Sequence, residues 1–212
     1  MAVVAIKKGG TVYMGCGPRY TSGGTTISLW NLNDIPVWKV EGIDNCLMGC
    51  AGSLRESCLV RTMDDLASDF DVFNHQINFN MVVNKVVPMI VSRLEKARYI
   101  PSEGTFEGMN CEYIFAYRDN LFIINRDGSV LEVDDFAVVG DDNNKARESL
   151  ISTRGQAAKT RIIQALKAIV SDDPSVDYSA MIANTTKMDF VFGNEKQLTK
   201  SEKLTKVDEC IN

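Results

Sequence analysis

Residues 1–24 read MAVVAIKKGGTVYMGCGPRYTSGG, with two apolar runs, Ala2 to Ile6 and Thr11 to Gly15, on either side of Lys7-Lys8-Gly9-Gly10. A Gly-Gly pair supplies the positive φ values that a two-residue hairpin turn requires, so the runs are read as antiparallel strands joined tightly. A loop rich in Gly, Ser and Pro, GCGPRYTSGG, then leads to a further run from Thr25 to Leu29. IPVWKV and CLMGCAG come next as two short strands. The first fifty residues form a β unit.

At Ser53 the period changes. Ser53 and Glu56 have capping-box spacing, and Leu59, Met63, Leu66 and Phe70 recur at four, three and four, the stripe of an amphipathic helix. A second stripe, Val83, Val87, Ile90, Leu94 and Ala97, marks another helix, which Pro88 is expected to kink or to end in its first part. The two helices are read as an antiparallel pair. Strands return in CEYIFAYRD and LFIINRDGSVLEV, turn at Asp127-Gly128 and run to about Val139. Ala158, Ile162, Ala165 and Ile169 give a third helix, stopped by Asp172-Asp173-Pro174. Two last strands are expected around Tyr178 to Ala183 and Met188 to Phe192. The order β, αα, β, α, β specifies an α+β layered fold rather than alternating βαβ units. Residues 1–193 are read as one domain, and 194–212 as a polar tail or docking segment with scattered Leu198, Leu204, Val207 and Ile211.

Composition narrows the function classes. The 23 Lys and Arg stand against 28 Asp and Glu, a formal net charge of -5, whereas a nucleic-acid partner calls for clustered basic residues. No nucleic acid is expected. No uninterrupted apolar stretch approaches the roughly 18 residues that cross a bilayer as a helix, so no membrane partner is expected either. The opening places its lysines after a short apolar run, the reverse of a secretory signal, and a cytoplasmic location is the resulting expectation. The six cysteines, at 16, 46, 50, 58, 111 and 210, are read as free thiols. Cys46 and Cys50 would share one strand face with Met48 as buried small hydrophobes rather than zinc ligands. The single histidine, His75, lies in the polar segment DVFNHQINFN and is given no role. No metal and no cofactor is expected.

Read residue by residue, the first 24 positions resemble the start of proteasome β-type subunits and of the peptidase subunit of the bacterial ATP-dependent ring protease. That family opens T-T-I-V-x-V, turns through a glycine, returns to G-A-D or A-G-D and continues R-x-T-x-G. Here Val3, Val4 and Ile6 match the first strand, Gly15 the second, and Arg19, Thr21 and Gly23 the loop, in one ungapped register. Lys39-Val40 is similar to the family's Lys-Ile or Lys-Val pair after an insertion. Cys50-Ala51-Gly52 followed by Glu56 is similar to its G-A-G with an acid four residues on. Beyond the first sixty residues the match is one of element order. The resemblance implies a four-layer αββα sandwich, the N-terminal nucleophile hydrolase fold, with the Ala2–Gly15 hairpin in one sheet and the Ser53 and Val83 helices together on one outer face.

It also implies which residues chemistry would need. In the family an amino-terminal threonine supplies both the nucleophile and, through its α-amine, the base. Met1 stands there, or Ala2 if the initiator is removed, and neither carries a hydroxyl or thiol. The acid at the end of the second strand is replaced by Gly17. Lys39 matches the family lysine, yet equally reads as a snorkelling surface lysine. Gly52 matches the glycine whose N–H would stabilise an oxyanion, although a glycine at a strand-to-helix turn needs no chemistry to explain it. Gly140-Asp141-Asp142 replaces Gly-Ser-Gly. Met1, Gly17, Lys39, Gly52 and Asp141 are therefore vestigial site positions, with no catalytic residue intact. Gly24-Thr25-Thr26-Ile27 has the look of a propeptide junction that would release a new terminal threonine. Processing there would remove the best-matching strand pair and leave Ser57 where lysine is required.

The leading expectation is a catalytically degenerate subunit that self-assembles as a structural or scaffolding ring component. The alternatives are an active or cryptic threonine-type peptidase subunit, and an inactive regulatory partner of an active paralogue. An ATPase ring is a further candidate partner, and a phage-encoded virion component is the alternative to a cytoplasmic protein. Assembly is expected through the helix pair, because Val60, Val82, Val86 and Val91 lie off the main stripes as a second apolar edge for a neighbouring chain. The competing reading has them widen the core-facing stripe.

Overall fold

The computed structural model describes residues 2–17, 19–22, 25–28, 36–63, 77–101, 108–140, 143–170, 178–194 and 197. Strands β1 (Ala2–Lys8) and β2 (Thr11–Cys16) form the hairpin the sequence predicts, turning through Gly9 and Gly10 at φ +61° and +75°. The residues read as a loop after it contain a strand, β3 (Arg19–Ser22), which pairs antiparallel with β4 (Thr25–Ser28). After β5 (Val37–Lys39) and β6 (Cys46–Ala51) comes helix α1 (Leu54–Arg61). Ser53 caps α1, its Oγ accepting from the Glu56 N–H at 3.4 Å. Helix α2 opens with Phe79–Met81, passes through a π-helical stretch Val82–Val86 and continues as Val87–Lys96. Strands β7 (Glu112–Tyr117), β8 (Asn120–Ile124), β9 (Val130–Glu132) and β10 (Phe136–Gly140) come next, then helices α3 (Asn143–Ser152) and α4 (Ala158–Val170), then β11 (Ser179–Asn184) and β12 (Phe190–Asn194).

The strands make two five-stranded antiparallel sheets, ordered β10-β1-β2-β11-β12 and β5-β6-β7-β8-β9. Three buried clusters separate four layers. Val3, Ala5 and Met14 of the first sheet meet Leu47, Ile114 and Ala116 of the second. The opposite face of β1, Ala2, Val4 and Ile6, packs under α3 and α4 against Leu150, Ile162 and Ala165. Cys46, Met48, Tyr113 and Phe115 pack under α1 and α2 against Val60, Ile90 and Leu94. A strand covered on both faces needs apolar residues throughout, which is why β1 reads AVVAI with no alternation. The architecture is the α+β, four-layer αββα sandwich, with the helix pair on one outer face as expected. Arg93 ties that pair together, its Nε donating to the Leu59 carbonyl at 3.2 Å and its Nη2 to Thr62 Oγ1 at 3.3 Å. At the far end Thr185 fastens sheet to sheet: its hydroxyl accepts from the Val12 N–H at 3.1 Å and donates to the Arg118 carbonyl at 2.5 Å.

The helices depart from the sequence pattern in two respects, an additional helix and a shifted buried face. Helix α3 has no counterpart in the sequence pattern, since only Ala146 and Leu150 of its ten residues are buried and two apolar positions make no stripe. Pro88 falls where the first part of α2 gives way to regular α-helix, which runs from Val87 after the π-helical stretch. The π-helical turn before it has already widened the backbone, with the Val87 N–H bonded to the Val82 carbonyl five residues back, and an insertion of this kind accommodates a proline's missing donor. The same wide turn shifts the buried face to Val82, Val86, Ile90 and Leu94, a uniform spacing of four, leaving Val83 and Val87 half-buried. Val60, Val82 and Val86 are therefore core residues and not an edge for a neighbour. Leu66, Phe70, His75 and the tail beyond 197 lie outside the described residues. No helix among the described residues is long and apolar enough to cross a membrane.

A carboxylate placed at Val86 or Val60 would be buried without a partner, which costs about 3–5 kcal/mol. Val86→Asp and Val60→Asp are thus expected to collapse the urea midpoint monitored by circular dichroism, with unfolding and not dissociation as the outcome.

Candidate functional site

Two of the vestigial positions, Gly17 and Gly52, lie at the end of the sandwich where β1 begins. Ala2 pairs with Gly140 of β10 and Val3 with Cys16 of β2, so the register extended by one residue sets Gly17 beside Ala2 on the other flank. In the second sheet Ala51 pairs with Glu112, and Gly52 is the next residue. Glu112 bridges the two sheets here, its Oε2 accepting from the Gly140 N–H at 3.1 Å. The Lys7 N–H donates to the Asp135 carbonyl at 2.8 Å, which fixes the hydrogen-bonded positions of the β1–β10 ladder at odd residues of β1. The Gly140 N–H therefore points away from β1, off the edge strand, and Glu112 caps it. Edge N–H groups are otherwise templates for unwanted pairing.

Gly17 could take a side chain only by displacing the Tyr178 phenol. A Cβ built on it collides with the Tyr178 hydroxyl, and the ring carbon bearing that hydroxyl lies 3.3 Å away. Tyr178 directly precedes β11, which pairs with β2 through Met181 and Cys16, so the sheet order delivers the phenol to this spot. An acid at position 17 would have to push this phenol aside.

Gly52 is required by the fold. Its φ is +143°, and an added Cβ would strike the Asn110 carbonyl and lie 2.8 Å from the Cys111 Cα. Beneath this contact the Glu56 side chain is fully buried and accepts three hydrogen bonds, from the Asn110 N–H at 2.8 Å, the Cys111 N–H at 3.1 Å and the Tyr113 hydroxyl at 2.6 Å. Burial, reinforced by the neighbouring Cys111 and Glu56, pushes the Tyr113 phenol upward and keeps it protonated as a donor. The Cys111 thiol donates to the Ser53 carbonyl at 3.3 Å and is held protonated, first by its hydrogen bond to Cys50 and then by burial. Burial also pushes up the thiol of Cys16. The nucleophilic form of a cysteine is the thiolate, so these groups are chemically quiet in the folded state.

Lys39 is not part of the cluster. It pairs with Leu47, five residues along β6 from Gly52, or about 16 Å at the usual strand rise. Its side chain is exposed and its Nζ stands 5.8 Å from the centre of the Phe190 ring. Met1 and Asp141 lie outside the described residues. Thr25 opens β4, in a hairpin with β3. Cys46 and Cys50 are buried on one face with Met48. Among the described residues no group of three or more His, Cys, Asp or Glu could hold a metal ion. Sequence reasoning missed Tyr178 and Glu112, whose roles depend on which strands lie side by side; no local signal marks either.

No protein-family model matches the chain, and no curated protein does. Solved structures do. The BPH protein of Thiobacillus denitrificans, in complex with epoxomicin, superposes with a TM-score of 0.62 at 14% identity, over 88% of this chain and 100% of that one. Another structure of the same protein gives 0.62 at 15% with the same coverage. Eukaryotic HslV from Trypanosoma brucei gives 0.63 at 15%, over 87% and 98%. The chain has the proteasome-type N-terminal nucleophile hydrolase fold, in a divergent sequence.

The Gly17–Tyr178 contact predicts non-additivity. Gly17→Ala is expected to cost about 1–3 kcal/mol by overpacking, and much less in a Tyr178→Phe background, because the phenolic oxygen is the nearest atom. A double-mutant cycle in urea reads the coupling. Glu56→Gln replaces an acceptor oxygen with a donor that faces donors, and is expected to cost about 3 kcal/mol by the same measurement.

Proposed function

We propose that this chain is a catalytically silent subunit of proteasome-like fold, acting as a self-assembling structural or scaffolding ring component. The observation that carries the reading is the Tyr178 hydroxyl at Gly17. A threonine-type site of this fold needs a carboxylate at that position to orient its lysine, and here the position is a glycine with a phenol hydroxyl standing where a side chain would begin. Two further observations support it. Lys39 stands away from the cluster, against Phe190. Glu112, the carboxylate that does reach the head of β1, is engaged by a backbone N–H. On this reading the fold was kept and the chemistry lost, as happens where function is a local graft on a shared architecture.

The subunit in this proposal runs through the end of β12 at Asn194, one residue beyond the 1–193 boundary read from the sequence, and the segment after it is an appendage for docking. Assembly rests on the resemblance to ring-forming subunits. It does not involve Val60, Val82 or Val86, which belong to the core, so apolar contact with a neighbour would draw on exposed side chains such as Phe79, Ile151 or Phe192.

Epoxomicin, found in complex with the Thiobacillus denitrificans protein, is the direct probe. Purified chain incubated with it is expected to keep its intact mass, and a stoichiometric adduct would overturn the silent-subunit reading. Light scattering on the same sample is expected to give a closed oligomer. A monomer at micromolar concentration would remove the ring component from the proposal.

A further inference from the structure

The strand-to-helix junction holds a feature the functional reading leaves unused, a pair of buried thiols. Cys50 lies on β6 and Cys111 directly precedes β7. Cys50 is the register partner of Tyr113, and the register extended past Ala51↔Glu112 sets Gly52 opposite Cys111. Cys50 and Cys111 are therefore diagonal neighbours on one face of the sheet, both fully buried in the cluster under α1 and α2. Cys50 is the leading influence on the Cys111 thiol, whose S–H donates to the Ser53 carbonyl at 3.3 Å. The approach is set by the backbone: Gly52 brings β6 against the Cys111 Cα, and Glu56 holds the Asn110 and Cys111 N–H groups. Both thiols are free in this structure.

We infer that Cys50 and Cys111 are an oxidisable dithiol, which closes to an intramolecular disulfide with a low-molecular-weight disulfide such as oxidised glutathione as co-reactant. One thiol, as thiolate, attacks a glutathione sulfur, forming a mixed disulfide and releasing one glutathione. The second thiol then attacks the protein sulfur of that bond and releases the other. The protein loses two protons and two electrons, and the glutathione disulfide gains them to become two thiols. The Cys111 thiol is held protonated by its neighbour Cys50 and by burial while the junction is closed, so the reaction requires the 108–111 segment to lift from α1. Once made, the bond joins positions 61 residues apart in sequence and fastens the junction that carries Gly52 and Glu56. The inference is independent of the proposed function, since it needs no active site.

The full chain is incubated with oxidised glutathione in buffer and in urea just below the unfolding transition, alkylated and peptide-mapped by mass spectrometry. The expected product is a cross-link between the Cys50 and Cys111 peptides, without stable glutathionylation of either, forming faster in urea. Its urea midpoint should rise above that of the reduced chain and return with dithiothreitol. Cys50→Ala should leave Cys111 as a persistent glutathione adduct under the same urea. A wild-type chain with both thiols still alkylated after the urea incubation, a link from either to Cys16 or Cys46, or a mixed disulfide that persists on either residue overturns the inference.

Discussion

The Glu56 carboxylate, sealed between α1 and the start of β7, is the constraint on which the helical half of the molecule rests. It accepts from two consecutive backbone N–H groups and a buried tyrosine, so one side chain satisfies three donors, of which the Cys111 N–H and the Tyr113 hydroxyl would otherwise be orphaned in the core. Its position on the first turn of α1 is set in turn by the Ser53 cap and by Gly52, the one residue type that lets β6 leave the sheet in contact with Asn110. β7 lies at the centre of its sheet, between β6 and β8, and the cluster beneath α1 and α2 is built on its Tyr113 and Phe115. Loosening Glu56 would free the entry to that strand and the helix above it together.

The head of β1 is organised differently. The end of a sandwich of this type, where β1 begins between β10 and β2, gathers residues from both sheets and both flanking strands, which makes it a natural place for a constellation of groups. In this chain the same convergence supplies packing and edge protection. Tyr178 closes the flank beside Gly17, and Glu112 caps the Gly140 N–H across the two sheets. Both contacts tighten this end of the molecule.

Helix α2 shows how local strain is absorbed so that a surface element can still bury a regular face. A proline in the body of a helix removes a donor and crowds the preceding turn. The π-helical stretch ahead of Pro88 resolves this by lengthening the turn, and it realigns the apolar side chains at intervals of four so that Val82, Val86, Ile90 and Leu94 all reach the core. The valines that looked superfluous to a regular stripe are the ones the core uses.

Short-range regularity is legible in the order of residues: the Gly9-Gly10 hairpin, the doubly buried run of β1, the Ser53 cap, the Asp127-Gly128 turn and the α+β order of elements. Each depends on the spacing of apolar residues or on the conformational demands of a few residues in a row, which the chain displays directly. Motif likeness in the first sixty residues carried the fold further, to the layered sandwich. The remaining features needed the assembled tertiary packing. Helix α3 has too few apolar residues to announce itself, and the face of α2 turns on a backbone irregularity that no side-chain pattern encodes. Lys39 matches a motif, yet its strand register sets it about five residues from the cluster that motif would serve. Tyr178 is 161 residues from Gly17 in sequence and touches it only because β11 lies beside β2. Contacts of that kind are set by strand order and register, which arise from the packing of the whole chain.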